Sequence, residues 1–139
     1  MNGLDSTNSY IGFYLQKLRA GDSEAAFRAL TEVGHSVIPR LIDAFRSEDS
    51  ASVRAELVTI IWNHRRPETA GFLGEALNDQ SPEVWQNALD GLVTLRSSQA
   101  LEILNGALTR QLPTKRQTEE FQAWVREAIG QIQEGKSGP

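Results

Sequence analysis

The sequence predicts an all-α protein, a right-handed α-solenoid of about eight helices, on three observations. Apolar residues recur at i, i+3, i+4 and i+7, as in Ile38, Leu41, Ile42 and Phe45, the stripe of an amphipathic helix. The stripes return at a fixed interval: Val53, Leu57, Val58 and Ile61 map in the same order and spacing onto Val84, Ala88, Leu89 and Leu92. No run alternates in period two with β-branched enrichment, so no sheet is predicted.

The first predicted helix, 9–20, contains Tyr10-Ile-Gly-Phe-Tyr-Leu15 and stands at an open end of the stack, as a cap or an interface. Gly21 stops it, Asp22 N-caps the next helix at 23–33, and Gly34 closes that one. The third, 36–46, carries the Ile38 stripe. Ser50 N-caps the fourth, 51–64, in which Val58, Ile61 and Trp62 form the stripe that Arg65 breaks; the Arg66-Pro67 step ends it. The fifth is 68–78. The sixth, 82–95, opens on Ser81 as N-cap with Pro82 at the first helical position, where a missing N–H costs nothing. In the seventh, 98–110, Leu104 and Leu108 follow Leu73 and Leu77 at that same interval. The last, 118–133, aligns only after a longer shift, which brings Ala88 and Leu89 onto Ala128 and Ile129, so an extended loop at 110–117 precedes it. Trp62 and Trp124 are expected in the core, filling space between helices. Residues 1–8 and 135–139 are rich in Ser, Gly and Asn and are expected to be flexible, leaving 9–134 as a single domain.

The segment Val37-Ile-Pro-Arg-Leu-Ile-Asp-Ala-Phe45, followed by Asp49, Val53-Arg54 and Leu57 to Ile61, resembles the short HEAT-like repeats of bacterial proteins, in the style of the phycobilisome lyase family. The resemblance covers most of 22–133 and concerns architecture. It implies that A helices form a convex layer and B helices a concave one, and that an Asp–Arg ladder between repeats runs through Asp49 and Arg54. Two departures stand out: the interval from Val53 to Val84 is shorter than the usual ~40–47 of such units, and Trp85 stands where the family usually has Arg.

A hairpin of about 30 residues cannot bury its stripe alone, so neighbours must stack, and the stack leaves a polar groove. Carrying the interval along the B helices places Arg28, Glu56 and Asn87 in one row, Thr31, Thr59 and Asp90 in a second, and His35, Asn63 and Thr94 in a third. Glu127 extends the first row, and Trp85, beside the apolar stripe, joins the candidates because partly exposed tryptophans are enriched at binding hot spots, although a ring packed over the loop between repeats is the more frequent outcome. Residues 1–66 are charge-balanced while 67–139 hold the whole net charge of −4, which suits a protein partner with a basic surface.

The chain has no cysteine, which excludes disulfides, thiolate metal sites and a cysteine nucleophile and points to the cytoplasm. No apolar run suits a membrane, and the acidic balance disfavours nucleic acid as the ligand. Gly130-Gln-Ile-Gln-Glu-Gly-Lys-Ser137 matches the phosphate-loop pattern literally, but a helix precedes it where the chemistry needs a strand. His35 and His64 end B helices and have no second ligand at helical spacing, so no metal is expected, nor any cofactor or catalytic residue. The expected function is a non-enzymatic adaptor, scaffold or immunity-type binder that uses the concave groove; self-association through open solenoid ends is compatible with it. The competing readings are a relative or subunit of a phycobilin lyase-type enzyme, implied by the resemblance, and a weak nucleic-acid binder using the clusters at 64–66 and 110–116.

Overall fold

A computed structural model describes the backbone of residues 3–137 and the side chains of 9–135. Among the described residues eight α-helices follow one another: α1 (Gly3–Arg19), α2 (Ser23–Glu32), α3 (Ile38–Ser47), α4 (Ala51–Asn63), α5 (Ala70–Ala76), α6 (Pro82–Leu95), α7 (Ser98–Ala107) and α8 (Lys115–Ser137). Single 3₁₀ turns at His35–Val37 and Pro67–Thr69 lead into α3 and α5. No strand occurs among the described residues. Consecutive helices pair as hairpins, α1 with α2 through α7 with α8, and the second helices stack in file as α2, α4, α6, α8, with the α4–α6 contact the most extensive. This is the two-layered all-α solenoid that the repeat predicts.

The repeat is also the core. Val53 and Val84, Leu57 and Ala88, Val58 and Leu89, and Ile61 and Leu92 are all buried. Each fully buried Leu or Ile stabilises the fold by about 1.5–3 kcal/mol relative to leaving it exposed. Between first helices, Phe45 of α3 meets Phe72 of α5 edge-to-face at 5.0 Å. Between second helices the decisive residue is Gly91: a Cβ there would lie 2.7 Å from the Trp62 ring, so only glycine lets α4 and α6 approach so closely.

Helix ends follow the sequence in part. The Ser50 hydroxyl accepts the Val53 N–H at 3.3 Å, and Ser97 does the same for Ala100 at 3.0 Å. Asp22 and Ser81 occupy their predicted N-cap positions without a capping bond. Asp22 lies 3.7 Å from Lys17, and the Ser81 N–H donates to Asp79 at 3.0 Å. The last helix starts at Lys115 rather than at the 118 predicted, because Thr114 and Gln117 form a capping box: the Gln117 N–H donates to the Thr114 hydroxyl at 3.1 Å and the Thr114 N–H to the Gln117 side chain at 3.2 Å. The connection between α7 and α8 therefore spans 108–114, and the phosphate-loop match at 130–137 lies inside α8. The ends expected to be flexible meet helical backbone at 3–8 and 135–137, while 1, 2, 138 and 139 lie outside the described residues.

Of the tryptophans, Trp85 takes the packing role rather than the binding one, and Trp124, expected in the core, lies outside it. Trp85 is only 4% exposed, whereas Trp124 is 45% exposed and Trp62 half-buried. The cause is α8, whose Phe121 stands edge-on to Trp85 at 5.0 Å and covers it, leaving Trp124 on the outside of the same cluster at 6.2 Å. Tyr10 and Phe13 on α1 are exposed as well.

Candidate functional site

The predicted groove residues lie on the file of second helices, and five of them line two separate depressions. Glu56, Thr59 and Asn87 come together in a cleft of about 420 Å³ between the end of α1 and α2, α4 and α6, walled by Leu18 and Phe27. Asp90 and Glu127 come together further along, between α6 and α8, in a small depression that also includes the exposed Trp124. Arg28, Thr31, Asn63 and Thr94 line neither. Arg28 is an exposed rim residue, 3.9 Å from Glu24, and Thr31 has a buried hydroxyl without a partner. Asn63 and Thr94 donate to carbonyls of their own helices, those of Thr59 at 2.7 Å and Asp90 at 2.8 Å. Trp85 is core rather than groove, and Trp124, read as core from its stripe position, is the tryptophan that the surface presents.

Each polar side chain on the cleft floor has one bond to a neighbour, but not every polar atom is satisfied. The Ser23 hydroxyl donates to Glu56 Oε1 at 2.8 Å, and Glu56 Oε2 is buried with no partner. From α6 the Asn87 amide donates across to the Ala55 carbonyl of α4 at 3.0 Å, and the Thr59 hydroxyl donates to that same carbonyl at 3.3 Å. In the second depression Asp90 is exposed as a residue, yet burial against its neighbours still pushes its carboxyl above the ordinary aspartate value.

Several of the basic residues in the two clusters, His64, Arg65, Arg66 and Arg110, are engaged within the fold, while Lys115 is exposed, 3.9 Å from Glu119. Arg65 lies over the Trp62 ring at 5.9 Å, and Arg66 reaches Glu68 at 3.1 Å. His64 donates from Nε2 to the Leu30 carbonyl at 3.0 Å, satisfying one of the last carbonyls of α2. Arg110 binds the carbonyls of Leu77, Asn78 (3.1 Å) and Asp79 (3.3 Å). Its guanidinium lies over the Phe121 ring at 4.8 Å. Burial lowers its pKa from the usual arginine value, with Asp79 acting the other way.

The ladder implied at Asp49 and Arg54 takes a different form. Arg54 binds the main-chain carbonyls of Glu48 and Asp49, both at 2.9 Å, and its carboxylate partner is Asp79 of the next hairpin. Two further ion pairs join successive first helices, Arg19 to Glu48 at 2.9 Å and Arg46 to Glu75 at 2.7 Å. Sequence reasoning missed Arg110 in this role, because the signal for it is the arginine missing at position 85. Among the described residues no three His, Asp or Glu side chains gather as a metal site, and no helix is long and apolar enough to cross a membrane.

The sequence profile described as HEAT repeats matches residues 38–124, from the start of α3 to Trp124 in α8. No curated protein and no solved structure matches the chain.

Proposed function

The chain belongs to the HEAT-repeat family, and on that premise we propose that it is a non-enzymatic protein-binding module of the adaptor, scaffold or immunity type. The face formed by α2, α4, α6 and α8 receives the partner, and the partner's contact surface is basic. The observation that carries this reading is the placement of carboxylates on successive helices of one file: Glu56 in the first cleft, then Asp90 and Glu127 beside the exposed Trp124. An aromatic ring flanked by acids offers a cationic side chain both apolar contact and charge. The nucleic-acid alternative starts from two basic clusters whose Arg65, Arg66 and Arg110 already have partners inside the fold. The lyase-type alternative rests on resemblance alone. A bacterial source and a cytoplasmic location belong to the same proposal, the latter supported by the absence of cysteine.

The test is charge reversal. Glu56→Lys, Asp90→Lys and Glu127→Lys combined should abolish recovery of a stoichiometric protein partner from lysate while the helical circular dichroism is retained. Recovery of the same partner by the folded triple variant would remove this face from the reading.

A further inference from the structure

The Glu56 cleft has an unusual hydrogen-bonding balance. Of the polar groups around it, Ser23 spends its hydroxyl proton on Glu56 Oε1, and Thr59 spends its own on the Ala55 carbonyl. The Ala55 carbonyl can only accept, so Asn87 must turn its nitrogen toward α4, and its Oδ1 is then an acceptor. What remains on the floor is mainly acceptor capacity, set against the one spare N–H of Asn87: the Asn87 amide oxygen, the lone pairs of Thr59, and a Glu56 carboxylate that receives one bond where it has room for about four. Glu56 Oε2 is buried and unpaired, a costly state for a carboxylate oxygen. Leu18 and Phe27 supply apolar lining, and Glu24 adds a second negative charge to the cleft. Arg28, the nearest cation in sequence on α2, stands exposed beside Glu24.

An acceptor-rich floor beneath apolar walls selects a ligand with donors only, a positive charge and a greasy stem. We infer that this cleft takes the side chain of one arginine of the partner protein, its guanidinium on Glu56, Asn87 and Thr59 and its methylenes along Leu18 and Phe27. Arginine fits better than lysine because its planar head carries five N–H donors and no acceptor, and three separated acceptors suit a fork rather than a point charge. This inference rests on the protein-binding reading and supplies the residue type at the cleft.

The test needs no natural partner. Nα-acetyl-arginine methylamide is titrated into the ¹⁵N-labelled protein, with the lysine and citrulline analogues in parallel; citrulline keeps the shape of arginine but is neutral and presents a carbonyl acceptor. Saturable amide shifts centred on Glu56, Thr59 and Asn87 are expected with the arginine probe, at least tenfold tighter than with citrulline and tighter than with lysine. Glu56→Gln, which is isosteric and keeps a partner for Ser23, should remove the preference over citrulline. Equal binding of arginine and citrulline would overturn the inference by showing an apolar slot. Absence of shifts would show a cleft for water only, and tighter lysine binding would reject the guanidinium. A wild-type protein that binds the arginine probe but recovers no partner would leave the cleft standing and remove the proposed function; a partner whose binding ignores Glu56→Gln would do the reverse.

Discussion

Arg54 and Asp79, 25 residues apart in sequence, are joined by two parallel bonds, Nε to Oδ2 at 2.9 Å and Nη2 to Oδ1 at 3.2 Å. The pair bolts one hairpin to the next, and the same arginine holds the carbonyls of its own loop. Their side chains are 20% and 10% exposed, so the bond lies between a surface pair and a fully buried one. Arg54→Met should cost about 2–3 kcal/mol in urea unfolding, below the roughly 3–5 kcal/mol of a fully buried pair because part of the arginine reaches water. A cost under about 0.5 kcal/mol, the range of an exposed surface pair, would show that the bolt is ornamental.

Arg110 performs for the following loop the service that Arg54 performs for its own. Removing it strands carbonyls at Leu77, Asn78 and Asp79 and uncovers Phe121. Arg110→Ala should destabilise by about 1–2 kcal/mol, toward the lower part of the cost of unsatisfied acceptors because these carbonyls are only partly buried. Arg110→Lys should recover less than half of that, since one ammonium cannot span three carbonyls and lie flat on a ring. Full recovery by lysine would contradict the fork geometry.

Gly91→Ala tests the closest helix approach. The added methyl would sit 2.7 Å from the Trp62 ring and 2.9 Å from Leu73 Cδ1, so one of them must move. The expected loss is about 1–3 kcal/mol, as for other overpacked cores. A double-mutant cycle with Trp62→Leu should show coupling of about 0.5 kcal/mol or more, because the smaller side chain vacates the methyl's space.

Acid should loosen the outer layer first. Burial works to raise the Glu48 pKa, but the Ser50 N–H, Arg19 and Arg54 outweigh it, and Arg46 lowers that of Glu75 through their hydrogen bond. A folded pKa below the unfolded one contributes stability that is present above the unfolded value of about 4.3 and lost as pH falls through the folded value. The urea midpoint should therefore drop as pH falls below about 4.5, and less so in an Arg19→Gln/Arg46→Gln double variant. Asp90 acts in the opposite sense, because burial raises its folded pKa: its contribution is present below the unfolded value and lost as pH rises through the folded one. Asp90→Asn should therefore raise stability at pH 7 and change little at pH 3. An unchanged acid slope in the double variant would refute the assignment to these pairs.

The sequence carries the architecture because burial repeats with the helices. Val53, Leu57, Val58 and Ile61 are all inside, as are their counterparts Val84, Ala88, Leu89 and Leu92, and the helix order follows from them. Periodicity marks which side of a helix is apolar, but not what arrives to cover it. Trp85 sits at the register of Arg54, a partly buried position that carries an ion pair in the earlier hairpin, and becomes core because Phe121 of the shifted last hairpin lands on it. The Thr114-x-x-Gln117 capping box is legible as a local pattern, whereas the tie between Ser23 and Glu56 spans 33 residues and requires the packed helices themselves. The repeat therefore suffices to bring Glu56, Thr59 and Asn87 side by side, while the bonds that set the chemistry of their cleft are visible only in the fold.

Repeat arrays are ordinarily divisible, each unit leaning on the next without sharing parts, so that shortening one end leaves the remainder intact. The grip of Arg110 on the loop two helices back breaks that modularity. A chain cut before Ser98 would lose its final hairpin, leave Trp85 bare and strip the carbonyls at 77–79 of their arginine, with only the Asp79 side chain still held by Arg54. The two C-terminal hairpins should therefore melt together as one cooperative block, and the shortest stable form of the protein must contain both.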